Sequence, residues 1–312
     1  MKHGVINVYK EAGMTSFQVV FFLRKITGEK KIGHTGTLDP DATGVLPVCI
    51  GKATKLVDFL MDSDKQYKAR LRFGLRTDTQ DVSGAVLEEM DKAKVKEILE
   101  STEKVRNAFE GFLGEIQQLP PMYSAVKVDG VKLVDAARKG REIERKKRPV
   151  TIYSFEEINI SGFEETDRSV TADFTVNCSK GTYIRTLCED IGSVLGVPAC
   201  MESLERTRTS GLDLSTAKRI SELDAAKEQG TLEDLIIPTD QFLTKYPPLT
   251  VKDSAVRKLV YGNYLSLEEM ETIPDKKQVY RIYDHAGLFY ALYRFDPKDR
   301  LLKCDKMFIE EP

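Results

Sequence analysis

The stretch "KIGHTGTLDPDATGVLPVCIGKATKL", residues 31–56, decides how the chain is read. It sets Asp39 directly before Pro40, between bends at Gly36 and Gly44, and ahead of a strand-like apolar run from Val45 to Ile50. Proline disfavours the helical region for the residue before it, so Asp39 is held extended. Glycine lets the backbone bend sharply or approach a ligand closely. The loop can therefore present one carboxylate at a fixed angle, as a nucleophile or general base requires. A surface Asp-Pro turn uses the same residues. The rest of the chain has to separate the two readings.

With 312 residues, 41% apolar and 31% charged, the sequence has room for one large domain and a smaller one. No window approaches the roughly 18 apolar residues of a membrane span. The first residues show neither the apolar core of a signal peptide nor an Arg-rich transit pattern, so a cytoplasmic protein with no membrane contact is expected. The cysteines (Cys49, Cys178, Cys188, Cys200, Cys304) are scattered and odd in number, which reads as reduced thiols. His3, His34 and His285 are too dispersed to suggest a metal cluster. The net charge of −2 argues mildly against nucleic acid as a partner. Local charge can differ from the total: residues 127–150 carry nine Lys/Arg against four Asp/Glu. That segment is either a solvated face of mixed charge or a basic patch.

"GVINVYK" alternates as a strand. Ser16 can cap a helix "FQVVFFLRKITG" that Gly28 closes. "KATKLVDFLMDSD" has the pattern of an amphipathic helix, and "DKAKVKEILESTEKVRNAFEGF" is helical. "KQYKARLRFGLRTDT" reads as a strand with Tyr67, Ala69, Leu71 and Phe73 on one face. "VDGV" suits a tight hairpin turn, followed by a short helix over residues 133–139. "RPVTIYSFEEINISGF" and "SVTADFTVNCSKG" are strands, and a helix begins just after Gly181. Strands and helices do not alternate strictly, so the expected fold class is α+β with a mixed, largely antiparallel sheet. The adjacent prolines of "TKYPPL" (244–249) mark a linker. Beyond it, a short helix over residues 253–261 and the strands "QVYRIYD" and "LFYALYRFD" make a small β-rich module.

Two further elements bear on the Asp39 loop. "NCSKGTYIRTL" sets Tyr183 and Arg185 at a helix start, where the Arg185 fork could grip a carboxylate with two bonds and favour its charged form. The plain alternative is a core tyrosine and a surface arginine. Tyr67, among cations in "DKQYKARLRFG", could stack on a base or simply face inward from a sheet.

These residues carry a family resemblance. "GHTGTLDPDATGVLPV" resembles the signature loop of the bacterial tRNA pseudouridine synthase B family, which isomerises uridine 55 in the TΨC arm of tRNA. "GVINVYKEAGMTS", "DKQYKARLRFGLRTDTQDVSG", "FEGFLGEIQQLPPMYSAVKVDG", "SKGTYIRTLCEDIG" and "LERTRTSG" are similar to further blocks of the family in the same order, over residues 4–240. The resemblance implies a pseudouridine synthase catalytic domain over residues 1–245 and a PUA-like RNA-binding module over residues 246–312. It makes Asp39 the catalytic aspartate. His34 would hold the RNA arm open, Tyr67 would stack on the target base, Tyr183 and Leu204 would line the uridine pocket, and Arg185 would pair with Asp39. The basic stretch 124–150, with Lys127, Arg145, Lys146, Lys147 and Arg148, would be a thumb that grips the RNA. The sequence departs from the family pattern at Glu11, where proline is common, and at Val134, where an aromatic is common.

The implied reaction is an isomerisation that needs no metal or other cofactor, carried out by a monomer with no obligate protein partner. This agrees with the lack of a phosphate-binding loop or dinucleotide fingerprint. The rivals are a non-catalytic tRNA-binding or tRNA-folding protein and a guide-RNA-dependent rRNA relative. A glycoside hydrolase would need a second paired acid beside Asp39.

Overall fold

The computed structural model describes residues 2–164, 169–272 and 278–309. Its frame is a ten-stranded mixed sheet. The strands run Ile237–Pro238, Gly4–Lys10, Thr43–Ile50, Ala199–Thr209, Lys65–Phe73, Thr171–Cys178, Arg148–Ser161 and Gly114–Gln118 across it, with Ile32–His34 and Leu212–Asp213 attached at the side. Most neighbours are antiparallel, but Thr43–Ile50 lies parallel to Ala199–Thr209. The fold is α+β, as the irregular order of elements predicts.

The Lys65–Phe73 strand alternates as expected: Tyr67, Ala69, Leu71 and Phe73 are all buried. Its neighbour Ala199–Thr209 is not legible as a strand, although it lies in the centre of the sheet. Two register shifts, at Met201/Ser203 and at Arg206/Arg208, break its period of two. It also carries charged residues that a central strand rarely holds.

Several helix expectations need correction. Thr15, not Ser16, caps the Ser16–Thr27 helix, in a reciprocal pair with Gln18. The Ser16 hydroxyl turns inward to the backbone of Leu38. The 52–64 segment is a 3-10 turn, Gly51–Leu56, followed by the single-turn helix Val57–Met61. The 91–112 segment is two helices, Lys92–Leu99 and Thr102–Glu110. Glu100 with φ of 61° ends the first, and the Ser101 side chain caps the second. The 253–261 segment is a 3-10 turn, Asp253–Ala255, then the helix Val256–Val260.

Past the prolines lies a five-stranded sheet, in the order Pro248–Thr250, Val279–Tyr283, Phe289–Asp296, Leu301–Met307, Leu265–Ser266. It has its own core around Leu259, Ile282, Tyr293 and Leu302. A second cluster joins it to the large sheet, packing Val5, Cys49 and Leu56 with Leu292 and Phe308. Polar contacts cross the same joint: Lys55 donates to the Met307 carbonyl at 2.6 Å and Lys306 to the Lys55 carbonyl at 3.0 Å. Among the described residues no helix is long and apolar enough to cross a membrane.

Gly44 shows how tightly the Asp39 loop is welded to the central strand. Its φ is 103°, and a Cβ there would stand 2.2 Å from the Arg206 carbonyl oxygen. No backbone shift relieves this without opening the parallel pairing of Arg206 with Gly44. Gly44→Ala is expected to cost about 3 kcal/mol or more in urea denaturation. Gly33→Ala, whose new methyl would meet only the Val57 and Thr54 side chains, at 3.4 and 4.0 Å, should stay within about 1 kcal/mol of the unaltered protein.

Candidate active site

The Asp39 carboxylate sits in the wall of a cavity of about 420 Å³, within the range of small-molecule sites, roughly 300–1,000 Å³. Leu38, Tyr67, Tyr183, Arg185, Leu204 and Arg206 share that wall. The sequence-predicted pairing is present and has two prongs. Arg185 Nε lies 2.9 Å from Asp39 Oδ2, and Nη2 donates to Oδ1 at 3.2 Å. The rest of the guanidinium is also used: Nη1 donates to the Thr79 carbonyl and Nη2 to the Tyr123 carbonyl, both at 2.9 Å. Asp81 Oδ2 stands 3.8 Å from Nη1. Arg185 is a buried hub rather than a surface residue, its side chain 6% exposed.

Three features aim this pair. The helix Ile184–Leu195 starts one residue before Arg185. Gln118 pins the start, accepting from the Tyr183 N–H at 2.8 Å and donating to the Tyr183 carbonyl at 2.9 Å. Lys10, fully buried, spends its three N–H bonds on the carbonyls of Glu11, Met14 and Pro40. It thereby ties the turn after the first strand to the Pro40 carbonyl, next to Asp39. Burial holds the Lys10 pKa down to about 8.

Arg206 is the functional residue that sequence reasoning misses. It is 1% exposed and holds the loop from the other side, donating from Nε to the Val45 carbonyl at 2.7 Å and from Nη2 to the Gly36 carbonyl at 3.2 Å. Its signal exists only once the strand is known. In a strand, residues two apart share a face, so a pocket-lining Leu204 brings Arg206 with it. Lys10 and Gln118 leave no comparable trace.

Tyr67 is both of the things its sequence allowed, an inward-facing sheet aromatic and part of the cavity wall. Burial raises its pKa, so it is a neutral phenol at pH 7. The Leu204 carbonyl accepts from Thr43 Oγ1 at 3.5 Å. His34 is half-buried at the head of the loop, outside the residues that line the cavity. Burial and the Arg206 charge push its pKa down, leaving a neutral ring at pH 7.

The basic segment stands beside the site. Lys127 is exposed on a two-stranded hairpin with Val131–Lys132, closed by Asp129 and Gly130 at positive φ. Lys146, Lys147 and Arg148 are exposed. Arg145 is half-buried and held within the fold. It donates to the Pro120 carbonyl at 3.1 Å and pairs with Glu142 at 3.5 Å. Val134 lines the cavity, and Glu11 pairs with Arg219 at 3.0 Å.

Comparison with known proteins fits this geometry. Solved structures that superpose on the chain include a Cbf5–Nop10–Gar1 complex, at 27% identity and a TM-score of 0.67 over 99% of this chain and 85% of that one. Another is an H/ACA RNP bound to a substrate RNA containing 2′-deoxyuridine, at 25% identity and a TM-score of 0.67 over 99% and 86%. These define the class as that of the pseudouridine synthases, which are isomerases. The model of the N-terminal domain of TruB family pseudouridylate synthases matches residues 24–184, and that of the tRNA pseudouridylate synthase B C-terminal domain matches 185–244. A tRNA pseudouridine synthase B of Limosilactobacillus reuteri is 44% identical over 98% of both chains. One of Clostridium perfringens is 42% identical over 99% of this chain and 100% of its own. The chain belongs to the TruB family of pseudouridylate synthases.

Two effects oppose each other at Asp39. Burial raises its pKa, Arg185 lowers it, Asp81 raises it and Lys10 lowers it; the net direction is upward. The acidic limb of a pH–rate profile that needs this carboxylate ionised should therefore fall above the ordinary aspartate value of about 3.9. Removing the guanidinium removes the main lowering influence, so Arg185→Met should move the limb further up and slow the chemical step by orders of magnitude. Arg185→Lys should also be slow, because an ammonium cannot reproduce the fork. Single-turnover rates across pH, with circular dichroism as the folding control, check this. A folded Arg185→Met variant with an unmoved limb would show that Asp39 does not depend on this partner.

Proposed function

We propose that the protein isomerises uridine 55 in the TΨC arm of tRNA to pseudouridine, with Asp39 as the catalytic carboxylate. The observation that carries this reading is the two-pronged Arg185–Asp39 pair in a cavity walled by Tyr67, Tyr183 and Leu204. A stacked uridine must first leave its arm, at a cost of a few kcal/mol. His34, at the head of the loop, helps to keep the arm open. Tyr67 stacks on the displaced base, and Tyr183 and Leu204 hold its sides. The C1′–N1 bond then breaks, the uracil turns, and C5 bonds to C1′. The C5 hydrogen leaves to water and N1 gains a proton. Atoms balance without any external reactant, and Arg185 keeps the carboxylate aimed throughout.

The tRNA substrate is supported by full-length relatives named tRNA pseudouridine synthase B at 42–44% identity. The H/ACA-type structures, at 25–27%, are more distant, which disfavours the guide-dependent reading. We assign residues 1–245 to catalysis and 246–312 to a PUA-like RNA-binding module. Residues 124–150 are the thumb, and the enzyme works in the cytoplasm as a monomer.

The test is tritium release from tRNA transcripts carrying 5-³H-uridine, with and without uridine at position 55. Release should require that uridine. Asp39→Asn should abolish it yet leave tRNA affinity within a few-fold, since shape is kept and the reactive carboxylate lost. Multiple turnover by Asp39→Asn would refute the assignment.

The thumb assignment has its own measurement. Replacing Lys146, Lys147 and Arg148 with glutamine should weaken tRNA binding and reduce the slope of log K against log salt by roughly 2–3, because fewer counterions are released. Arg145→Gln should instead act on stability, through the Pro120 carbonyl it leaves unpaired. An unchanged slope in the triple variant would take this segment off the phosphate backbone.

A further inference from the structure

Five buried side-chain atoms among the described residues lack a hydrogen-bond partner: Asn7 Oδ1, Arg24 Nε, Thr35 Oγ1, Arg72 Nε and Ser124 Oγ. In Asn7, Arg24 and Arg72 the orphan is one atom of a larger polar group. In Thr35 and Ser124 the whole polar function of the side chain is unpaired. Both of these residues line the Asp39 cavity. They reach it from different elements, Thr35 from the catalytic loop and Ser124 from the root of the basic insertion.

An unpaired buried hydroxyl costs about 1–3 kcal/mol, so a fold retains one where something else completes it. Their backbones are fixed. The Thr35 N–H donates to the Pro47 carbonyl at 3.1 Å, and the Ser124 carbonyl accepts from the Val134 N–H at 3.0 Å. Their side chains are 1% and 6% exposed as residues, with the hydroxyls turned into the wall. Rotation about χ1 breaks no hydrogen bond in either case. Three cavity polar groups are already committed: Arg185 to Asp39 and two carbonyls, Arg206 to Val45 and Gly36, and the Thr182 hydroxyl to the Ser179 carbonyl. A nucleoside brings a polar edge and ribose hydroxyls that need partners on entry. A hydroxyl serves as donor or acceptor alike.

Resting on the isomerase reading above, we infer that Thr35 and Ser124 are positioning residues, whose hydroxyls turn onto the polar edge of the displaced nucleotide. One bond would come from the catalytic loop and one from the thumb root, fixing the nucleotide between the two elements.

The test compares Ser124→Ala and Thr35→Val with Ser124→Thr and Thr35→Ser, which keep the hydroxyl. Single-turnover tritium release, KM and thermal melting are measured for each. Because the deleted hydroxyls are unpaired in the free protein, melting temperature should hold or rise. The rate or kcat/KM should fall roughly tenfold per hydroxyl, the size of one lost hydrogen bond. The hydroxyl-bearing variants should recover most of it. Wild-type rate and KM in both deletion variants would overturn the inference. A melting temperature that falls in step with the rate would also overturn it, by assigning the hydroxyls to the wall alone. Failure of the isomerase reading is separate, because the unaltered protein would then release no tritium at all.

Discussion

The Arg185 guanidinium is the constraint on which the site depends. A planar group with five N–H donors is satisfied only if several chain segments meet around it. Here they are the catalytic loop through Asp39, the turn at Thr79 and Asp81, and the thumb root through Tyr123. These segments lie far apart in sequence and share no strand pairing. A buried charge stripped of its partners costs several kcal/mol, so the three are held in one arrangement by the penalty of leaving any of them. The carboxylate is thus aimed before substrate arrives, which is the condition for preorganised catalysis.

Arg206 does the matching work on the loop's other flank. Its backbone passes so close to residue 44 that only glycine fits, and its side chain bonds the carbonyls on both sides of the bend. With Lys10 holding the Pro40 carbonyl, the loop is gripped at three points by cations that are not its reactive partner. Asp39 is consequently half-buried, with the Arg185 and Lys10 cations and the Asp81 carboxylate around it. Burial raises its pKa, and the Arg185 and Lys10 charges restrain the rise.

The sequence carried the parts of this that depend on local rules. Asp39 before Pro40, the helix start near Arg185 and the alternation from Tyr67 to Phe73 follow from turn chemistry and periodicity, and each lies where those rules put it. The central Ala199–Thr209 strand did not, because its bulges erase the period that would announce it. The 91–112 segment reads as one helix because its apolar spacing continues across the Glu100–Ser101 break, which is set by one residue at positive φ and one cap. Lys10 and Gln118 escaped because a buried lysine or glutamine looks like a surface one until the carbonyls it serves are known. The Arg145 tie to Pro120 was hidden for the converse reason: charge content identifies a basic segment but not which of its cations the fold has already used.

The thumb root is also where binding and chemistry meet. The Tyr123 carbonyl is one of the Arg185 partners, and the next residue, Ser124, is held through its own carbonyl by Val134. Each such bond is worth about 0.5–1.5 kcal/mol net, so moving the root away from the site loosens the guanidinium that aims Asp39. The insertion beyond, from the Lys127 hairpin to Lys147, has no such tie to Arg185. Movement of the hairpin therefore leaves the guanidinium in place until it reaches Tyr123. At Tyr123 the basic insertion and the Asp39 carboxylate share one support, the Arg185 guanidinium.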